Sequence, residues 1–216
     1  MQLDPLALLT LLSVPRIGSQ RIRSLISRFK TPEAVLAASP RALIEVDGIE
    51  KNLAFQIKKG PNIDFAKEQL TKVKSLDVRL LSFWDPNFPV FLKRTADPPV
   101  VLFCKGSIET LNTQSIAIVG TRQPSEYAKV VTKNLTGELA SKGLTVVSGL
   151  ARGVDTLAHT ETVRIGGKTV AVLGTGVDVV YPAENKALAQ SIQENGVLVS
   201  EFFMGEGPDA PHFPRR

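Results

Sequence analysis

The sequence has almost none of the residues from which metal centres and disulfide frameworks are built. Cys104 is the only cysteine among 216 residues, and His159 and His212 are the only histidines. A single thiol cannot form an internal disulfide or a thiolate metal cluster, so zinc chemistry is nearly excluded. Long hydrophobic runs are also missing, since no stretch approaches the roughly 18 to 20 apolar residues that span a bilayer.

Signals for export are absent as well. The opening segment MQLDPLALLTLLSVPR has no basic leader and no small-residue cleavage site. The composition, 43% hydrophobic and 22% charged, is that of an ordinary globular protein. We therefore expect a cytoplasmic protein with no membrane partner.

The charges and the glycines are distributed unevenly along the chain. Residues 1–75 hold 12 Lys and Arg against 7 Asp and Glu, whereas residues 76–216 hold 14 of each. Glycine follows the opposite trend, because 12 of the 16 lie at or after Gly120. These shifts predict two domains, a basic one over 1–75 and a glycine-rich one over 76–216.

Apolar residues at helical spacing predict a small all-helical domain in the first part. The predicted helices, separated by prolines and glycines, cover 5–13, 19–29, 32–38, 40–45 and 50–59. A polar connecting stretch is expected near 60–72.

Two segments of this domain repeat about 32 positions apart. Val14–Gly18 and Val46–Glu50 each resemble the turn of a helix-hairpin-helix, which directs backbone N–H groups at a phosphate. Arg16 and Glu50 each replace one of the two expected glycines. A helical bundle with two tight turns and no nucleic-acid role is the alternative, and both interpretations stay open.

The second part alternates between short apolar runs and helical spans. Continuous apolar runs of four or five residues predict buried parallel strands. We therefore expect an extended Rossmann-like parallel sheet with helices on both faces. The predicted strands are 78–83, 100–104, 115–119, 144–147, 169–173 and 197–200, and the predicted helices are 124–142, 153–165 and 183–195.

The residues that follow these strands predict an anion site. Successive strands end in Gly-Thr-Arg, Ser-Gly-Leu-Ala-Arg-Gly, Gly-Thr-Gly and Ser-Glu. Ligands of open α/β sheets bind at the carboxyl ends of the strands, where glycines, hydroxyls and arginines suit phosphate. No GxGxxG or GxxxxGK[ST] pattern is present, so a dinucleotide cofactor and a P-loop triphosphate are disfavoured.

Catalytic chemistry has weaker support. Asp155, Asp178 and Glu201 fall near strand ends, and His159 follows Asp155 by one helical turn. No nucleophile, metal cluster or second nearby histidine completes a site. We expect Asp155 to orient backbone and His159 to pack against the sheet, with no catalytic residue and no cofactor.

Several runs resemble the DNA-processing protein A family, also called DprA or Smf. They are Ile118–Arg122, Ser148–Asp155 with Ala158-His159, Gly166–Gly176, Asp178–Pro182 with Asn185, Ser200-Glu201 and Phe213–Arg216. Order and spacing match over about 75–216, and the leading helices are similar to the family's small SAM-like first domain. The family's pattern continues beyond Arg216, so the resemblance implies a second domain cut short at its C-terminus.

This resemblance implies a non-enzymatic protein that binds single-stranded DNA and loads the RecA recombinase onto it during natural transformation. It also implies a homodimer. By position, Arg122 matches the principal phosphate-binding arginine and Lys186 a basic DNA-contacting position. The full set of expected DNA- and phosphate-binding residues is Gly120, Thr121, Arg122, Ser148, Gly149, Arg152, Gly153, Gly174, Thr175, Gly176, Asn185, Lys186, Phe213 and Arg215.

Two other classes remain as alternatives. A nucleoside-monophosphate hydrolase of the lysine-decarboxylase-like group uses a similar sheet, but its Pro-Gly-Gly-x-Gly-Thr-x-x-Glu pattern is absent here, where Gly174–Gly176 has no glutamate at that spacing. A pure interaction module is supported only by the uneven charge.

Overall fold

A computed structural model describes residues 3–216, and the chain divides into two compact units. The first unit contains Met1–Ser75 and Leu80–Val101, and the second contains Leu76–Arg79 and Leu102–Arg216. Among the described residues, no helix is both long enough and apolar enough to cross a membrane.

Residues 3–75 of the first unit form helices, as predicted. Asp4, Thr31 and Ser39 cap three of its helices by accepting hydrogen bonds from backbone N–H groups, and each is followed by proline. The fully buried side chains include Leu8, Leu25 and Ile57. Its helices are α1 Pro5–Leu12, α2 Gly18–Phe29, α3 Pro32–Ala37, α4 Pro40–Leu43, α5 Lys51–Lys59, α6 Ile63–Ser75 and α7 Val90–Lys93.

Helix α6 corrects the expectation of a polar connection near 60–72. Asn62 accepts a hydrogen bond from the Phe65 N–H at 2.9 Å and so begins the helix. Only Ala66 and Gln69 of its residues are buried. Because this helix buries so small a face, its apolar periodicity is weak, and its sequence is typical of a connection.

Both hairpin turns of the first unit contain left-handed backbone. Arg16 has φ 63°, Gly18 φ 63° and Gly48 φ 78°. Arg16 therefore adopts the conformation that glycine prefers at this point of the turn. Arg21 donates to the Gly48 carbonyl at 3.0 Å and to the Arg16 carbonyl at 2.9 Å, so one guanidinium joins the two hairpins.

The predicted α/β class is confirmed by a six-stranded sheet of order β1-β2-β6-β5-β4-β3. Strands β3 to β6 are parallel, and β2 is antiparallel to β6. A 3₁₀ helix, Ile108–Asn112, joins β2 to β3, and the strand order shows that β2 lies outside the run of parallel crossovers. The strands are β1 Arg79–Ser82, β2 Val101–Gly106, β3 Ser115–Ala117, β4 Thr145–Ser148, β5 Thr169–Val172 and β6 Val197–Ser200.

Three helices connect the parallel strands, namely α8 Glu126–Ser141, α9 Val154–Arg164 and α10 Lys186–Asn195. Helix α9 contacts both α8 and α10. Because the strands follow one another in sequence order across the sheet, right-handed crossovers put all three helices on one face and not, as the sequence predicted, on both faces. The carboxyl ends of β3, β4, β5 and β6 consequently share one edge.

Two surfaces of the second unit are exposed to solvent. All three residues of β3 are exposed, and Val119 just beyond it is 73% exposed. Helix α8 shows an apolar stripe to the solvent, formed by Tyr127, Val130 and Leu135. The chain ends in a short helix, α11 His212–Arg215.

Candidate nucleic-acid interface

The loops after β3 and β4 meet in very close contact, which explains their glycines. We use "the rim" for residues 120–122, 148–153 and 174–176, at the carboxyl ends of β3, β4 and β5. Gly153 has φ 81°, and a Cβ there would clash with the Thr121 carbonyl oxygen. The Val154 N–H donates to that same oxygen at 3.2 Å. A Cβ on Gly120 would lie 2.7 Å from Val154, so no side chain fits at either position.

Asp155 organises the loop after β4. Its buried carboxylate accepts hydrogen bonds from the backbone N–H groups of Gly149 at 3.2 Å and Ala151 at 3.3 Å. These two N–H groups are therefore occupied within the protein. The expectation that Asp155 orients backbone is confirmed.

His159 packs into the sheet and has no acid–base partner. Its Nδ1 lies 2.8 Å from Thr169 Oγ1, and that hydroxyl donates its proton to the Val146 carbonyl at 2.7 Å. Because the Thr169 hydroxyl has only this one hydrogen to donate, it must accept from His159, and Nδ1 carries the ring proton. Burial lowers the pKa of His159 to about 4, so the imidazole is neutral at pH 7.

Three of the expected site residues have their polar groups bonded inside the protein. Ser148 donates to the Ile118 carbonyl at 2.7 Å, and Thr175 donates to the Val179 carbonyl at 2.5 Å. Asn185 donates to the Leu150 carbonyl and to Thr156 Oγ1, both at 2.9 Å. All three are buried, and they fix the loops of the rim.

Phe213 brings aromatic and cationic groups together above the loop after β5. A Cβ on Gly174 would lie 3.0 Å from Phe213 Cδ1, so this glycine leaves room for the ring. The guanidinium of Arg122 lies 5.6 Å from the centre of the Phe213 ring, and that of Arg216 lies 5.8 Å from it. The Tyr181 ring centre is 5.7 Å away.

Arg216 contacts the rim, although it is not among the site residues expected from the sequence. Its Nη1 donates to the Gly149 carbonyl at 2.7 Å, and its guanidinium would be 2.6 Å from a Cβ on Gly149. Burial lowers the pKa of Arg216, while Asp155 raises it and Arg122 lowers it. The expected residue was its neighbour Arg215, which instead pairs with Glu201 at 3.0 Å.

The cations of this region differ in their partners. Among the ion pairs of residues 3–216, none includes Arg122, Arg216 or Lys186. Arg152 forms a two-pronged ion pair with Glu184, at 2.8 and 2.9 Å. Two guanidinium groups without an ion-pair partner among the described residues, those of Arg122 and Arg216, therefore lie beside the Phe213 ring. No cluster of three or more metal-ligating side chains occurs in the described part of the chain.

The geometry agrees with the comparisons to known proteins. Residues 79–216 match the family model of DNA recombination-mediator protein A. The chain belongs to this family. Residues 8–60 match the model of the SAM-like helix-hairpin-helix tandem, in agreement with the two hairpins of the first unit.

Members of the family are similar over different lengths of the chain. Protein Smf of Synechocystis sp. is 34% identical over 94% of this chain and 52% of its own length. DNA processing protein DprA of Bacillus subtilis is 41% identical over 60% of this chain and 44% of its own length. The chain thus spans about half the length of the curated relatives it matches.

Solved structures of relatives have the same fold. The structure of DNA processing protein A from Streptococcus pneumoniae superimposes on the whole chain, covers 73% of its own, and has a TM-score of 0.83 at 28% identity. The Helicobacter pylori protein, whose structure was described for its single-stranded DNA binding mode, has a TM-score of 0.56 at 33% identity. That match covers 64% of this chain and 61% of its own.

Proposed function

We propose that the chain binds single-stranded DNA along the rim, without catalysing a reaction on it. The observation that carries this proposal is the position of Phe213, whose ring centre lies 5.6 Å from the guanidinium group of Arg122 and 5.8 Å from that of Arg216. Such an arrangement accommodates a base on the ring and phosphates on the arginines.

The rim suits a strand better than a single nucleotide. A mononucleotide site in an α/β sheet holds its phosphate with several backbone N–H groups at a helix N-terminus. Here the Asp155 carboxylate already accepts the N–H groups of Gly149 and Ala151. The charged donors, such as Arg122 and Arg216, belong to separate side chains, which a polymer can contact one after another.

The handover of the bound strand to RecA during natural transformation is part of the same proposal, as are the homodimer and the cytoplasmic location. The support is membership in a family of recombination mediators and the naming of its Bacillus and Streptococcus relatives as DNA processing proteins. A mediator of recombination must hold single strands by contacts that read no sequence, and phosphate contacts meet that requirement.

Replacement of Arg122 tests the proposal. Arg122→Ala should weaken binding of a fluorescently labelled oligo-dT by about 10- to 100-fold, because a charge-assisted contact contributes about 1.5–3 kcal/mol. Fluorescence anisotropy measures the affinity, and circular dichroism should show an unchanged melting temperature. Lys168→Ala is the control, since Lys168 is exposed just before β5, at the opposite edge of the sheet.

Two results would contradict the proposal. Equal affinities of Arg122→Ala and the parent chain would remove Arg122 from the site. If AMP competes for the site as strongly as a twelve-base strand does, the nucleotide-hydrolase alternative is favoured instead. Incubation of the protein with AMP, followed by chromatography of the products, tests that alternative directly.

A further inference from the structure

Arg152 and Glu184 form a two-pronged pair at the surface. The Arg152 side chain is 59% exposed and that of Glu184 is 55% exposed. The carboxylate takes the same fork of two N–H donors that a phosphate takes. The pair lowers the pKa of Glu184, so this group stays ionised at neutral pH.

The pair lies near the loop that carries Arg122. Arg152 directly precedes Gly153, where a Cβ would lie 2.8 Å from the Arg122 Cα. Glu184 stands two residues before Lys186, in the 3₁₀ turn Ala183–Asn185 that leads into α10. A phosphate that approaches Arg152 therefore meets this carboxylate first.

We infer that Glu184 occupies the phosphate-binding fork of Arg152 and must be displaced when DNA binds, so that it limits the affinity of the rim. This inference rests on the proposed function. An ion pair between two exposed side chains contributes little net free energy because water competes with it, so a phosphate can replace the carboxylate.

The second arginine–carboxylate pair of this region is held differently. Glu201, which pairs with Arg215, is only 18% exposed, and the Arg215 guanidinium lies 5.4 Å from the centre of the Phe202 ring. Displacement of Glu201 would leave a mostly buried carboxylate without its partner, which is costly. Of the two carboxylates, Glu184 is therefore the exchangeable one.

The test removes the charge of Glu184 and keeps its shape. Glu184→Gln should tighten oligo-dT binding about three- to tenfold at low salt, since it frees Arg152 and removes a repulsion. Most of this gain should disappear when Arg152→Ala is added to Glu184→Gln, because no guanidinium is then left to be freed.

Glu194→Gln is the matched control, because Glu194 is an exposed carboxylate near the far end of α10 with the same charge. If Glu194→Gln tightens binding as much as Glu184→Gln, the effect is one of net charge and the inference is wrong. It is also wrong if Glu184→Gln leaves the affinity unchanged while the parent chain binds oligo-dT. Failure of the parent chain to bind would instead contradict the proposed function itself.

Discussion

Phe213 is the residue on which the proposed base contact depends. Phe213→Ala should weaken oligo-dT binding by about 1–3 kcal/mol, the contribution of one base stacked on an aromatic ring. Phe213→Tyr is the control, because it keeps the ring against Gly174 and should bind like the parent chain. Anisotropy titrations of the three proteins measure the difference, and equal affinity of Phe213→Ala would show that no base stacks on this ring.

His159 should make the stability of the protein depend on pH. Its pKa is about 4 in the folded chain against 6.5 when unfolded. As pH falls below 6.5 the unfolded chain takes up the proton first, so stability is lost between pH 6.5 and 4. The loss approaches about 3 kcal/mol at about 1.4 kcal/mol per pH unit.

Urea unfolding at a series of pH values measures this loss. His159→Gln is expected to be less stable at pH 7 because it disturbs the contact with Thr169, and its stability should change less between pH 6.5 and 4. A variant with the same pH dependence as the parent chain would assign the effect to other groups.

Residue types at the site were predictable from the sequence, and individual contacts were less so. Glycines at strand ends predicted the rim, because only glycine permits such close approach of backbones. The sequence predicted Arg215, and not Arg216, as a phosphate-binding residue. Two adjacent arginines cannot be told apart in a sequence, whereas in the fold a short helix directs Arg215 to Glu201 and Arg216 to Gly149. The hydrogen bonds from the Gly149 and Ala151 N–H groups to Asp155 also depend on the folded conformation of the loop. They could therefore not be predicted from the sequence.

At the scale of elements, the loop after β3 packs so closely against the start of α9 that Gly153 should not be replaceable by a residue with a side chain. Gly153→Ala should cost about 2–4 kcal/mol, because it adds a clash with the Thr121 carbonyl to the strain of a positive φ. Gly143 has φ 82°, and a Cβ added there would meet no atom within 4 Å. Gly143→Ala therefore reports strain alone, about 1 kcal/mol.

Urea unfolding of both glycine variants separates these contributions. Equal losses of stability would mean that the loops of the rim move apart easily to admit a methyl group. In that case the close contact between Thr121 and Gly153 would not hold the rim in place.

Helices and strands were predictable from the sequence where most of their side chains are buried, because burial requires a clear apolar pattern. Strand β6 begins and ends where the sequence predicts, because Val197–Ser200 is buried throughout. Helices α6 and α7 were missed, since α6 buries few residues and α7 has only four. The antiparallel direction of β2 depends on its pairing with β6, in which Phe103 faces Ser200, 97 positions further along the chain. No local pattern encodes this pairing.

At the scale of the whole molecule, the spacing of the cations predicts a salt dependence. Three or four phosphate contacts on a single strand give a slope of log K against log salt of roughly −2 to −3. Lys186→Ala should reduce its magnitude by about 0.7 and weaken all sequences alike, because phosphates carry no base information.

Titrations with oligo-dT and oligo-dA between low and moderate salt measure the slope, and Lys168→Ala again serves as the control. A slope near −1 at every oligonucleotide length would mean that only one phosphate is held. Such a result would contradict a strand that runs from Arg122 to Lys186.

The lone cysteine has a practical consequence. Cys104 lies in the middle of β2 with no exposed surface, and burial raises its pKa to about 12. Maleimides react with exposed thiolates, so the folded chain should label extremely slowly. A second cysteine placed at Gln123 would then be the sole reactive thiol, and a dye attached there could report the polarity of a bound strand by energy transfer to either end of the DNA.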